Sequence, residues 1–261
     1  MWTLPGGVAE KAKSAATRAL ELDPTLGEAH AALGTVQHFL EWDWAAAEQS
    51  YQRALELTPG LSNTHVGFGL ELTVQGQFEA AIEHFETAVR LDPLMAPFWQ
   101  FLGALYHFAG DDERALALLG EAEQLFPSFA HQTLGMILCE HGRFDEGLAS
   151  LERARVVAGD MPDLVAALAY GHALAGNETE ARALLGQLNQ RAQSEFVSPL
   201  NFALVHTVLG EREQALGWLE RGYAFRFAML PMAMVWPPLR PLHAEPRFQA
   251  MLRGMGLQPK S

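Results

Sequence analysis

The chain has 261 residues, 49% of them hydrophobic, enough to bury a sizeable core and too many for a disordered tail. Its 31 acidic and 18 basic residues leave a formal charge of −13, which argues against a nucleic-acid backbone or an anionic membrane as the main partner. Cys139 stands alone, so no intramolecular disulfide can form, and no uninterrupted apolar run reaches the roughly 18 residues that span a bilayer.

The opening Met1-Trp2-Thr3-Leu4-Pro5-Gly6-Gly7 lacks the basic start and apolar run of a signal peptide, so a soluble, cytoplasmic chain is expected. A first helix is predicted from about Val8 to Leu22, with Ala12, Ala16 and Ala19 on one stripe and Leu22-Asp23-Pro24 as its end. It reads as the second half of a two-helix unit, either cut from a longer protein or acting as a lone cap. The next unit places His30, Leu33, Gly34 and Gln37 on one helix and Ala47, Tyr51 and Ala54 on another that closes at Pro59. One extra residue falls in its turn, Leu40-Glu41-Trp42-Asp43-Trp44. Two tryptophans beside an acid are open to two readings, a ligand cage or apolar anchors that lock a lengthened turn, and the second is favoured. A regular unit follows, with His65, Phe68, Gly69 and Leu72, then Ala81, Phe85, Ala88 and Pro93, and Gly76 between them as a helix terminator.

The stretch from Ala96 to Pro127 is the clearest copy. Trp99, Leu102, Gly103 and Tyr106 share a helix face; Ala115, Leu119 and Ala122 form a narrow stripe on the next helix. Glycine inside a helix costs roughly 1 kcal/mol against alanine, so Gly103 points to a close helix crossing. Three looser copies follow, with Leu134, Gly135 and Leu138 before Gly147, Leu151 and Ala154; Val165, Leu168 and His172 before Ala181, Leu185 and Leu188; and Phe202, Ala203 and His206 before Ala215 and Leu219. Their turns carry Gly142, Gly176 and Gly210. The boundary at 189–198 is the weakest, because its polar run has no closing proline. From about Tyr223, Pro231, Pro237, Pro238, Pro241 and Pro246 forbid a long helix, while Met229, Met232, Met234, Val235, Trp236 and Leu239 are too apolar for a free tail. Residues 1–222 therefore read as a half unit plus about six units, and 223–261 as an irregular proline-rich cap with a short helix from about Pro246 to Gly254, a cap being favoured over a ligand pocket.

The pattern Trp99-x-x-Leu102-Gly103-x-x-Tyr106, Ala115-x-x-x-Leu119 and Pro127 resembles the signature of the tetratricopeptide repeat, with Leu119 in the place of its phenylalanine. Further, Trp42-Asp43-Trp44, Gly217-Trp218-Leu219-Glu220 and Leu239-Arg240-Pro241 are similar to the C-terminal repeat regions of bacterial signalling proteins, where such regions follow winged-helix, nucleotide-cyclase or serine/threonine-kinase domains. None of those effector domains is in this sequence, and the stretch Met229 to Trp236 departs from the usual tail. The resemblance implies an all-α fold, a right-handed superhelical solenoid of antiparallel helix pairs whose first helices line the concave side. It also implies a protein-interaction scaffold, or alternatively a sensor region regulating an effector domain.

No nucleotide-binding loop, nucleophile elbow or close metal-ligand pair occurs, so no catalytic residue, metal or cofactor is expected. His30, His65 and His131 stand at the place of Trp99, and His172 and His206 at that of Tyr106, which reads as repeated packing and hydrogen bonding; Cys139 reads as a small core residue. If the Trp99 face packs inward, Gln100, Ala104, His107 and Phe108 lie on another side, with Phe39, Val66, Leu70, Met136 and Tyr170 at matching places. That largely uncharged surface is the expected groove for an apolar or amphipathic segment of a protein or peptide partner, self-association included. It lacks the basic residues with which related repeats clamp a chaperone's terminal carboxylate.

Overall fold

The computed structural model describes residues 7–258, the side chains of 127–129 apart; the reading of Met1 to Gly6, and the last residues of the cap with Lys260, lie outside them. Among the described residues there is no strand. The helices are α1 (Val8–Leu22), α2 (Gly27–Val36), α3 (Trp44–Leu57), α4 (Ser62–Val74), α5 (Phe78–Leu91), α6 (Ala96–Phe108), α7 (Asp112–Leu125), α8 (Pro127–Glu140), α9 (Phe144–Ala158), α10 (Pro162–Leu174), α11 (Glu178–Arg191), α12 (Pro199–Val208), α13 (Arg212–Ala224) and α14 (Pro246–Gly254). From α2 to α13 they pack as successive antiparallel pairs in a right-handed solenoid, with α1 against α2.

Small residues set the spacing within the pairs. A Cβ on Gly103 would sit 2.7 Å from the Leu119 side chain, and the same crossing recurs where Gly34 meets Tyr51, Gly69 meets Phe85 and Gly135 meets Leu151. Tyr51, Phe85, Leu119 and Leu151 are accordingly buried to within 1% of full occlusion. Burying such a side chain contributes about 1.5–3 kcal/mol. Cys139 is packed in the same way against Gly147, and burial pushes its thiol up to about 11.

Five of the six turns inside pairs use one device. Gly76, Gly110, Gly142, Gly176 and Gly210 all have φ between 71° and 84°, and the residue after each returns a backbone bond to the preceding helix, as Asp111 N–H does to Tyr106 O at 2.8 Å. The α2–α3 turn absorbs its extra residue differently. A π-helical turn spans Gln37–Glu41, Trp42 takes the left-handed conformation at φ 56°, and Asp43 N–H closes on Gln37 O at 3.0 Å.

Helix α11 stops at Arg191 without a proline. The Arg191 guanidinium pairs with Glu195 and donates to the Asp160 carbonyl, fixing an irregular link to Ser198, whose hydroxyl caps α12. After α13, two short 3-10 turns, Leu230–Met234 and Pro237–Leu242, lead to α14. This segment lies on α12 and α13 and also reaches the opposite end of the array. Leu239, Leu242, Phe248 and Met255 share one core with Trp42, and Trp44, Phe78 and Phe108 pack against it. Trp44 Nε1–H donates to Met255 O at 2.7 Å, Arg226 donates to Glu41 O at 2.8 Å, and Trp42 stacks on Tyr223 at 5.9 Å between ring centroids. The two tryptophans are anchors, and what they anchor is the tail.

Candidate binding groove

The face of α6 that carries Leu102, Gly103 and Tyr106 is buried against neighbouring helices. Helical geometry then turns Gln100, Ala104, His107 and Phe108 to another side, where they line a cavity of about 600 Å³. Leu70 and Thr73 of α4, Gln132 and Met136 of α8, Asp163 of α10 and Asn201 of α12 continue its wall. Phe196, Phe227, Met229, Met232 and Trp236 close it from the side of the tail.

Of the nine groove residues read from the sequence, the structure brings six to this cavity: Leu70, Gln100, Ala104, His107, Phe108 and Met136. Phe39 instead packs edge-on against the His38 ring at 4.3 Å, Val66 packs against the core around Tyr51 and Phe68, and Tyr170 is only 2% exposed within the core around Val165 and Phe202. The tail residues were beyond a helical-wheel argument, because they stand on no long helix. Their signal was the apolar run from Met229 to Leu239 itself.

The wall is mostly apolar, with a polar cluster at one edge. His107 Nδ1 lies 2.6 Å from Asp112 Oδ1, and its Nε2 lies 2.8 Å from Glu140 Oε2. Desolvation lowers the affinity of that ring for its proton, but the bonds to Glu140 and Asp112 outweigh it and hold the pKa above the ordinary histidine value. Burial, and then the Glu140 carboxylate beside it, push the Tyr170 hydroxyl well above the ordinary tyrosine range. Also on the lining, Asn201 donates to Asp163 at 2.7 Å and ties α12 to α10. The ionisable groups among the described lining residues are His107, Glu140 and Asp163.

Several other histidines serve the stack. His30 and His65 place Nε2 at 3.1 and 3.0 Å from the carbonyls of Pro24 and Pro59, the bond that Trp99 Nε1–H makes to Pro93 O at 2.9 Å. His131 bonds to Ser150 instead, and His206 to Glu211. Among the described residues no helix is long and apolar enough to cross a membrane.

A family model of the tetratricopeptide repeat matches residues 72–134. Over 75 residues the chain is 37% identical to Superkiller protein 3 of Saccharomyces cerevisiae, a match covering 28% of this chain and 5% of that protein. Two solved structures share the architecture. One is Cut9–Hcn1, a heterotetramer of the APC/C (TM-score 0.63, 16% identity, 95% of this chain and 46% of that one). The other is pilF of Pseudomonas aeruginosa (TM-score 0.53, 17% identity, 88% and 97%). The chain thus spans less than half of the Cut9–Hcn1 chain it matches and a small fraction of the yeast protein.

Proposed function

Because the chain belongs to the tetratricopeptide-repeat family, we propose that it is an interaction scaffold that holds an apolar or amphipathic segment of a partner protein in the groove between its first helices and its tail. The observation that carries this reading is the cavity itself. Its size is that of a ligand site, its lining comes from α4, α6, α8, α10 and α12, and its roof is a conformationally irregular segment that the repeats alone would not supply. The carboxylates of Glu140 and Asp163 on its wall favour an occupant without a free carboxylate beside them.

Peptides selected on the wild-type protein from a displayed random library test the proposal. The selected peptides are expected to be rich in apolar residues, and their affinity to change little between about 0.1 and about 1 M salt, since apolar burial is weakly screened. Ala104→Trp, which fills the cavity from α6, is expected to lose them with helix content unchanged. Phe108→Glu should do the same, but it also disturbs the tail core on which Phe108 packs. Selection of charged, salt-sensitive peptides, or equal binding by Ala104→Trp, would refute the reading.

A further inference from the structure

The α6–α7 and α8–α9 turns stand side by side and bring together three side chains that are far from forming a sequence motif. His107 sits in the last turn of α6, Asp112 opens α7, and His141 follows the last residue of α8. His107 Nδ1 is 2.6 Å from Asp112 Oδ1, and His141 Nε2 is 2.9 Å from Asp112 Oδ2. One ligand atom from each of the three lies within 4.8 Å of the others. The far nitrogen of His107 is engaged as well, 2.8 Å from Glu140 Oε2, whose side chain is 16% exposed.

A carboxylate on the far nitrogen of an imidazole fixes its tautomer and aims the near nitrogen, the arrangement that metal-bound histidines almost always show. With Nε2–H donated to Glu140, Nδ1 of a neutral ring is an acceptor, and it faces a second acceptor on Asp112. A positive group must stand between two acceptors 2.6 Å apart, either a second proton on the ring or a cation. We propose that this cluster binds a borderline divalent transition ion, Zn²⁺ foremost, through His107 Nδ1, His141 Nε2 and the Asp112 carboxylate, with Glu140 as the positioning residue for His107.

The donor set decides the class of ion. Two imidazoles and one carboxylate suit zinc, cobalt or nickel, whereas magnesium and calcium demand oxygen ligands. Ligands at about 2.0–2.2 Å from zinc stand roughly 3.3 Å apart across a tetrahedral angle, so the His107–Asp112 contact must open by about 0.7 Å and the His141–Asp112 contact by about 0.4 Å. The side chains of Asp112 and His141 are 30% and 42% exposed and have room to do so. Three protein ligands leave a fourth position for water or for a partner's donor group. The ion would fasten the turn of one unit to the turn of the next, whatever the groove holds.

The test is titration of chelator-treated full-length protein with Co²⁺, followed by its visible absorption, and with Zn²⁺ by calorimetry. One equivalent is expected to bind with micromolar or tighter affinity and Zn²⁺ to displace Co²⁺. His141→Ala, at an exposed position, and Asp112→Asn should each weaken binding at least about tenfold, and Glu140→Gln by about 10- to 100-fold. His84→Asn is the control, because His84 pairs with His65 elsewhere, Nδ1 to Nδ1 at 2.9 Å. Absence of binding, binding unchanged in His141→Ala, or binding lost in His84→Asn would overturn the proposal; an imidazolium held between two carboxylates would then account for the geometry.

Discussion

Five turns of the array pivot on glycine and one pivots on tryptophan. Both kinds end in a backbone bond from the residue after the pivot to the preceding helix, Asp111 N–H to Tyr106 O five residues back in one and Asp43 N–H to Gln37 O six back in the other, so both stop a helix and reverse the chain. They differ in what the left-handed residue carries. A hydrogen at Gly110 leaves the turn a plain joint, with nothing within 4 Å of where a Cβ would be. An indole at Trp42 makes the turn a dock, stacked on Tyr223 with the Arg226 guanidinium 4.5 Å above it. A non-glycine residue in that conformation costs roughly 1–2 kcal/mol, which burial of the indole offsets.

If that contrast is right, Trp42→Ala should have the largest effect. A loss of about 3–5 kcal/mol is expected in urea unfolding, together with faster proteolysis within 226–257. Intact tail protection in this variant would break the comparison. Trp42→Phe sharpens it, since the indole N–H is buried with no acceptor among the described groups. Phenylalanine keeps a stacked ring and removes that unpaired donor, so its cost should fall well below that of alanine. Gly110→Ala comes next, at about 1–2 kcal/mol with the tail still protected, because its strain stays within the α6–α7 turn.

The smallest effect of undocking the tail is expected at a pair inside the regular stack. Burial, and then the neighbouring His65, depress the His84 pKa to about 4. The unfolded chain, near 6.5, binds that proton first, so this site contributes stability above about 6.5 that is lost progressively as pH falls toward about 4. The His84 ring resonance should titrate near 4 in the wild type and equally in Trp42→Ala. A midpoint near 6.5 in the variant would mean that dock and stack are one cooperative element.

How much of this was legible follows from the range of each contact. Gly103 beneath Leu119, the glycine turns and the histidines at the Trp99 place are local or one unit apart, and a repeated spacing exposes them. The face of α6 that lines the cavity was legible for the same reason. Tyr170 and Val66 share that face by register, yet Tyr170 is covered and Val66 packs half-buried against the neighbouring core, because burial depends on which helix lies opposite. The tail's landing site was hidden altogether. Trp44 and Met255 are separated by 211 residues, and no periodicity relates them. The extra residue near Trp42 was visible, but the π-helical turn that absorbs it depends on the tail that the turn receives.

An open helical array behaves as a spring, widening or narrowing its inner face at little cost. Here the Trp44 to Met255 bond fastens one end of the coil to the other, so the coil cannot lengthen without first undoing that clasp. If the groove holds a partner segment as proposed, it would work as a gauge of fixed bore. Occupants would then be sorted by whether they fit, and a large one would enter or leave no faster than the clasp opens.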